Sequence, residues 1–195
     1  MWPWMLTLAR LPLAGAFAVA VAMAAGAEPA HAGAAATVGL LALAALIELT
    51  DLLDGLVARR TQSVTELGGL VDPLCDSLSR LTVFFAAALV GWVWIGVPLV
   101  MAGRDIVVAY VRIVLARTGR RTSARLSGKL KAVIQGAAVF VLIAAAGPWV
   151  APGAAAPLRV VTAAAVIAAT LWSLADYLRG GLAAAREMMA GRLSD

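Results

Sequence analysis

Six apolar stretches run through this sequence, at 6–25, 34–58, 70–92, 94–116, 132–148 and 158–178. Each is close to membrane-crossing length, since a helix rising about 1.5 Å per residue spans a bilayer core of about 30 Å with about 20 apolar residues. Six such runs in 195 residues leave no room for a separate soluble unit. The sequence therefore predicts an all-α fold, a single polytopic membrane domain over 1–195 with six transmembrane helices. Composition points the same way: 63% of residues are hydrophobic and 14% are charged, where soluble domains carry about 45–50% and about 25%. A water-soluble globule, a disordered tail and a secreted disulfide scaffold are excluded. The single Cys75 makes no intrachain disulfide, and the single His31 rules out a histidine-rich metal site.

Breakers separate the runs at 26–33, 59–66, 91–98, 117–131 and 148–157, and the fifth helix is expected to start near Ser127. At the N-terminus, Arg10, the apolar run 11–25 and Ala30-His31-Ala32 have the outline of a signal peptide. The further spans that follow favour an uncleaved first transmembrane helix. Lys and Arg set the orientation. Arg117, Arg120, Arg121, Arg125, Lys129 and Lys131 lie between runs four and five, Arg59 and Arg60 follow run two, and Arg179, Arg186 and Arg192 are in the tail. The connections on the other side hold only Arg159. The positive-inside bias places both termini, and that face of the protein, in the cytoplasm. Trp92, Trp94 and Trp149 suit the interfacial aromatic belt equally well as ordinary lipid-facing bulk. The net charge of +5 reports topology; the basic residues are not interleaved with aromatics, so the expected partner is the lipid bilayer and not nucleic acid.

Six of the eleven acidic residues fall between positions 48 and 76: Glu48, Asp51, Asp54, Glu66, Asp72 and Asp76. An ionised acid at membrane depth costs about 2.5–3.5 kcal/mol on insertion scales. Asp51 and Asp54 are three apart and share one face of the second helix, and Asp72 and Asp76, four apart, share one face of the third. A short connection predicts that these helices are antiparallel neighbours, so four carboxylates converge near their cytoplasmic ends. Four close carboxylates stay ionised together only with cations among them. All the donors are hard oxygens, which selects Mg²⁺, Mn²⁺ or Ca²⁺. Two such ions can bridge a pyrophosphate. Gly55, Ala58 and Gly68 are small enough for a bulky ligand to approach the backbone, and Arg59 offers a planar fork for phosphate. The competing structural reading, an ion-paired acid near a helix end, serves for a lone acid better than for four at this spacing.

The pattern Asp51-x2-Asp54-Gly55-x2-Ala58-Arg59-x8-Gly68-x3-Asp72-x3-Asp76 resembles the signature of the CDP-alcohol phosphotransferases at all eight specified positions. The resemblance implies an integral membrane enzyme of phospholipid synthesis, which transfers the phosphatidyl group of CDP-diacylglycerol to a small polar alcohol and releases CMP. It implies that Asp51, Asp54, Asp72 and Asp76 bind two divalent cations, Mg²⁺ or Mn²⁺, with Asp76 also the general base. It implies that Gly55, Ala58, Arg59 and Gly68 line the CDP pocket, and that the protein is a homodimer. No covalent intermediate is implied, and Cys75 is read as a packing residue.

A phosphorylated acceptor calls for cations. Arg104, Arg112, Arg125, Lys129 and Lys131 are the candidates; Arg104 and Arg112 are eight apart in the fourth run, about 80° apart around a helix. The competing reading pairs Arg104 with Asp105 or with one of the acids. Arg117, Arg120 and Arg121 suit topology and anionic headgroups. Gly128-Lys129-Leu130-Lys131 with Gln135, and the opening Leu6-Thr7-Leu8-Ala9-Arg10, are similar to segments of the phosphatidylglycerophosphate synthases. The departures are Trp4 where an Asn is expected, Ser77 where a Lys often follows the last aspartate, and Ala132 where a Thr is expected. Glycerol 3-phosphate is the first choice of acceptor, with inositol phosphate or another polar alcohol second. Two other classes compete: a small cation or proton transporter using the same acids, and a structural subunit with an inactive site. The acids gather at one membrane face with no second broken-helix site, which disfavours transport, and an unused acidic cluster would only cost stability. The segment 132–178 reads as scaffold apart from Gln135.

Overall fold

The computed structural model describes residues 2–26, 32–61, 66–117 and 126–192; within them the side chains of 2–7, 54–61, 66–70, 114, 116–117, 152, 184–185 and 187–192 fall outside the description. The described residues form an all-helical chain: α1 (Trp2–Ala25), α2 (Ala34–Thr61), α3 (Glu66–Leu89), α4 (Gly96–Arg117), α5 (Leu126–Ala146) and α6 (Pro152–Arg192). The fifth helix begins beside Ser127, as its sequence predicts. The sixth is far longer than the apolar run 158–178 implies, at 41 residues. It starts at Pro152, a residue with no amide hydrogen to leave unpaired in a first turn, and it continues beyond Leu178 through an alanine-rich stretch of high helix propensity.

Four helices contain segments long and apolar enough to cross a membrane: Leu8–Ala25, Ala34–Leu53, Leu126–Ala146 and Gly153–Ala183. α3 and α4 have spanning length, at 24 and 22 residues, and carry Asp72, Asp76 and Arg80, and Arg104, Asp105 and Arg112. The distribution of polarity is that of a chain solvated by lipid. Met23 is 77% exposed and Leu89 83% exposed, while Arg10, Arg104, Lys131 and Gln135 are buried. In water that arrangement would cost apolar hydration outside and charge desolvation inside.

The helices pack as a closed ring in the order α1-α2-α5-α6-α4-α3, with α3 also touching α5 across it. Among the described residues α2 and α3 meet chiefly through side chains, Arg80 of α3 reaching Glu48 of α2 at 3.3 Å. α1 packs closely on both, and long charged side chains join the two across the interior. The apolar core draws on Phe17, Val21, Leu40, Phe84, Val97, Met101, Leu142 and Val166, which together represent every helix of the ring. Local signals set the ends of the elements. α3 stops at Gly91, whose φ of 76° is in the left-handed region. The Gly91 amide donates to the Ala88 carbonyl at 3.1 Å and the Trp92 amide to Ala87 at 2.9 Å, the two bonds of a Schellman cap. At the same side of the bundle, the Ala32 amide donates to the carbonyl of Ala146 at 2.7 Å, tying the start of α2 to the end of α5. A Cβ on Gly147 would lie 2.8 Å from Cγ2 of Thr37, so only glycine permits that approach without a shift.

Candidate active site

Along the middle stretches of α1, α2, α3 and α4, beside the first turns of α5, two clusters of charge lie side by side. The first joins α1, α2 and α3. Arg10, 3% exposed, places Nη1 2.8 Å from Oδ1 of Asp51 and 3.6 Å from Oδ1 of Asp76. Arg80 sits one turn after Asp76 and donates from Nη2 to its Oδ1 at 3.2 Å. Its Nη1 donates to Oε1 of Glu48 at 3.3 Å and to the backbone carbonyl of Ala132 at 3.1 Å. Two buried guanidiniums thus hold three carboxylates from two helices. Ser79, which donates to the Cys75 carbonyl at 2.7 Å, and Val139 help to line a cleft of about 20 Å³ between these groups, room for about one water molecule.

The second cluster joins α4, α5 and α6. Oδ1 of Asp105 accepts from Nη1 of Arg104 at 2.8 Å and from Nζ of Lys131 at 3.0 Å. Nη2 of Arg104 donates to Oγ of Ser173 at 2.7 Å. The Tyr177 ring lies 5.2 Å from the Arg104 guanidinium carbon and 5.6 Å from that of Arg112, and its hydroxyl accepts from Nη2 of Arg112 at 3.3 Å. Ser127 donates to Oδ2 of Asp176 at 2.5 Å. Among the described residues this cluster holds three cations (Arg104, Arg112 and Lys131) and two carboxylates (Asp105 and Asp176). Nε of Arg104 and of Arg112 is buried without a hydrogen-bond partner among the described residues, which costs about 1–3 kcal/mol for each such donor. The two clusters adjoin, because the Ala132 carbonyl that receives Arg80 belongs to the residue after Lys131.

The site residues expected from sequence distribute as follows. Asp51 and Asp76 come together on Arg10; Asp72, one turn before Asp76, is exposed. The side chains of Asp54, Ala58 and Arg59, and residues Gly55, Gly68 and Arg125, lie outside the description of the site. Arg104, Arg112 and Lys131 share one cluster, and Lys129 is exposed on α5. The pairing of Arg104 with Asp105 occurs as the competing reading had it, within a network that also engages Lys131 and α6. Sequence reasoning counted Glu48 among the clustered acids but missed Arg10 and Arg80 as its partners in the cluster, and the whole contribution of α6. Arg80 had a readable signal, the i,i+4 spacing from Asp76. Ser173, Asp176 and Tyr177 had none, since they meet their partners across 49 to 69 residues of chain.

The oxygens of Asp51 and Asp76 are of the type that divalent cations prefer. Asp51 and Asp76, on different helices, already turn one oxygen each toward a single positive group, Arg10, and both offer hard carboxylate oxygens of the kind Mg²⁺ and Mn²⁺ prefer. Among the described residues no group of three or more such side chains is assembled.

An acidic cluster thus abuts a cationic one inside a ring of membrane-length helices. Residues 1–175 match the sequence model of CDP-alcohol phosphatidyltransferase, and the chain belongs to that family. It is an enzyme of that class, and an integral membrane protein. The chain is 35% identical over 144 residues to the CDP-diacylglycerol--glycerol-3-phosphate 3-phosphatidyltransferase of Pectobacterium atrosepticum, covering 67% of this chain and 71% of that relative. It is 34% identical over 138 residues to the proteins of the same name from Salmonella typhimurium and Escherichia coli, with the same coverage.

Proposed function

We propose that this enzyme transfers the phosphatidyl group of CDP-diacylglycerol to glycerol 3-phosphate. The observation that carries the reading is the adjacency of the two clusters, with Arg80 reaching from Asp76 to the backbone beside Lys131. One cluster suits a cation-bridged pyrophosphate and the other an anionic acceptor, and the relatives named above support glycerol 3-phosphate over other alcohols. The acceptor hydroxyl oxygen attacks the phosphorus that bears diacylglycerol, the bond from that phosphorus to the CMP oxygen breaks, and the hydroxyl proton passes to a carboxylate oxygen of Asp76. Asp51, Asp54, Asp72 and Asp76 are the residues that would hold two divalent cations, Mg²⁺ or Mn²⁺. Bound there, the ions supply neutralisation of the pyrophosphate and of the charge that develops on the departing CMP. Gly55, Ala58, Arg59 and Gly68 line the nucleotide site, and Arg104, Arg112, Arg125, Lys129 and Lys131 bind the acceptor phosphate. In this reading all six helices span the bilayer, as one domain over the whole chain. The termini and the site face the cytoplasm, and the enzyme works as a homodimer.

The test is CMP release by purified protein in detergent with CDP-diacylglycerol and Mg²⁺ or Mn²⁺. The acceptor panel is glycerol 3-phosphate, inositol, inositol 1-phosphate and serine. Release with glycerol 3-phosphate, lost on chelation and in Asp51→Asn and Asp76→Asn variants that remain folded, is the expected result. Release with another acceptor overturns the substrate. Full activity in either Asn variant overturns the assignment of roles.

A further inference from the structure

α6 carries no chemical motif, yet three of its residues within two turns enter the cationic cluster: Ser173, Asp176 and Tyr177. Asp176 and Tyr177 lie beyond the segment that matches the family. Tyr177 is 2% exposed, and it holds an unusual position. Arg104 and Arg112 are eight residues apart, so their Cα atoms are about 12 Å apart along α4, but both guanidiniums converge on one aromatic ring, at 5.2 and 5.6 Å from its centroid. The electron-rich ring face attracts each of them, and the hydroxyl accepts a hydrogen bond from Arg112. The other anchors on Arg104 are Asp105 and Ser173. Both arginines also have a buried Nε without a hydrogen-bond partner among the described residues, as do Arg10, Arg80 and Arg159. Room for the ring comes from Gly128, where a Cβ would already touch the Tyr177 hydroxyl at 3.4 Å and Nη2 of Arg104 at 3.7 Å.

We propose that Tyr177 is a positioning residue for the acceptor, its ring and hydroxyl holding Arg104 and Arg112 together so that both serve one phosphate group. The inference rests on the acceptor reading given under Proposed function. It makes α6 a determinant of acceptor affinity. Removing the ring separates the two guanidiniums and weakens binding of the anionic substrate while leaving the CDP-lipid site, on α2 and α3, as it was.

The experiment is steady-state kinetics of the full chain in detergent, varying glycerol 3-phosphate and CDP-diacylglycerol in turn, for Tyr177→Leu, Tyr177→Phe and Arg112→Gln. The expected result is a rise of about tenfold or more in the KM for glycerol 3-phosphate in Tyr177→Leu. Tyr177→Phe, which keeps the ring and loses only the hydroxyl, gives a rise of about threefold. In both variants kcat and the KM for CDP-diacylglycerol stay within about twofold of the parent. A merely structural role would move both KM values or lower kcat, and that outcome overturns the proposal. If Tyr177→Leu does not fold, Tyr177→Phe decides, and an unchanged acceptor KM there overturns the proposal. Arg112→Gln separates this inference from the reading it rests on. If Arg112→Gln raises the acceptor KM and neither Tyr177 variant does, the Tyr177 inference falls alone. If Arg112→Gln also leaves it unchanged, the acceptor site lies elsewhere and both fall.

Discussion

Replacing Arg80 by Met removes a guanidinium and keeps an unbranched apolar stem in its place. The side chain is 9% exposed and makes three hydrogen bonds, to Glu48, Asp76 and the Ala132 carbonyl, at 3.1 to 3.3 Å. Deleting one partner of a fully buried ion pair costs about 3–5 kcal/mol. Two features reduce that here. The bonds are longer than the 2.7–2.9 Å of the strongest charge-assisted bonds. Glu48 and Asp76 are 34% and 36% exposed, so each retains some solvation, and Asp76 keeps Arg10 at 3.6 Å. The expected loss is about 2 kcal/mol. Glu48→Gln keeps an acceptor oxygen but takes the negative charge from one of the three bonds, and is expected to cost about 1 kcal/mol. The double variant should cost less than the sum by about 1 kcal/mol, within the range that contacting residues show in double-mutant cycles. The assay is reversible unfolding in mixed micelles of increasing SDS fraction, followed by the loss of helical circular dichroism. Additivity of the two substitutions to within about 0.3 kcal/mol would refute the coupling, and with it the view that this pair ties α2 to α3.

Two further predictions concern packing within the ring. A Cβ on Gly181 would lie 2.9 Å from Cγ1 of Val111, so Gly181→Ala is expected to destabilise the α4–α6 contact by about 1 kcal/mol, the strain exceeding the helix-propensity gain. In a Val111→Ala background the same change becomes neutral or stabilising; a cost that persists there would show that the clash is not its source. Gln135 is fully buried, and its Nε2 donates to Oγ1 of Thr170 at 3.1 Å. Thr170→Val removes that acceptor and should cost about 1 kcal/mol, between the soluble-protein range and the smaller average for interhelical bonds in membranes. Thr170→Ser should restore most of it in the same unfolding assay, and equal stability of the valine and serine variants would count against the bond.

Much of the fold was legible because membrane helices declare themselves locally. Apolar runs and the breakers between them located all six helices, and the Gly-led turn after α3 is a local cap. The exception is α6, where the apolar run 158–178 marked only the part suited to lipid while the helix continues to Arg192. Half of the site was legible for the same reason. Asp51, Asp76, Arg104, Arg112 and Lys131 stand at helical spacings that can be counted along the chain. Arg10 and Glu48 could be counted too, but nothing in the spacing says that a guanidinium from α1 reaches Asp51 and Asp76, or that α1 lies against both α2 and α3.

The sequence by itself determined that the chain is helical, that it belongs in a bilayer, which reaction its acidic motif resembles, and which charges are available to it. These are properties of composition and of neighbours within one or two helical turns. Only the tertiary structure decided the ring order α1-α2-α5-α6-α4-α3, the placing of Arg10 and Arg80 on the carboxylates, and the contact of Tyr177 with both Arg104 and Arg112. In lipid, helices gain little from burying one apolar face against another. They choose partners by close packing and by hydrogen bonds between polar groups that hydrocarbon cannot satisfy. Those contacts join residues far apart in the chain and leave no period in the sequence, so the partners become readable only once the six helices are assembled.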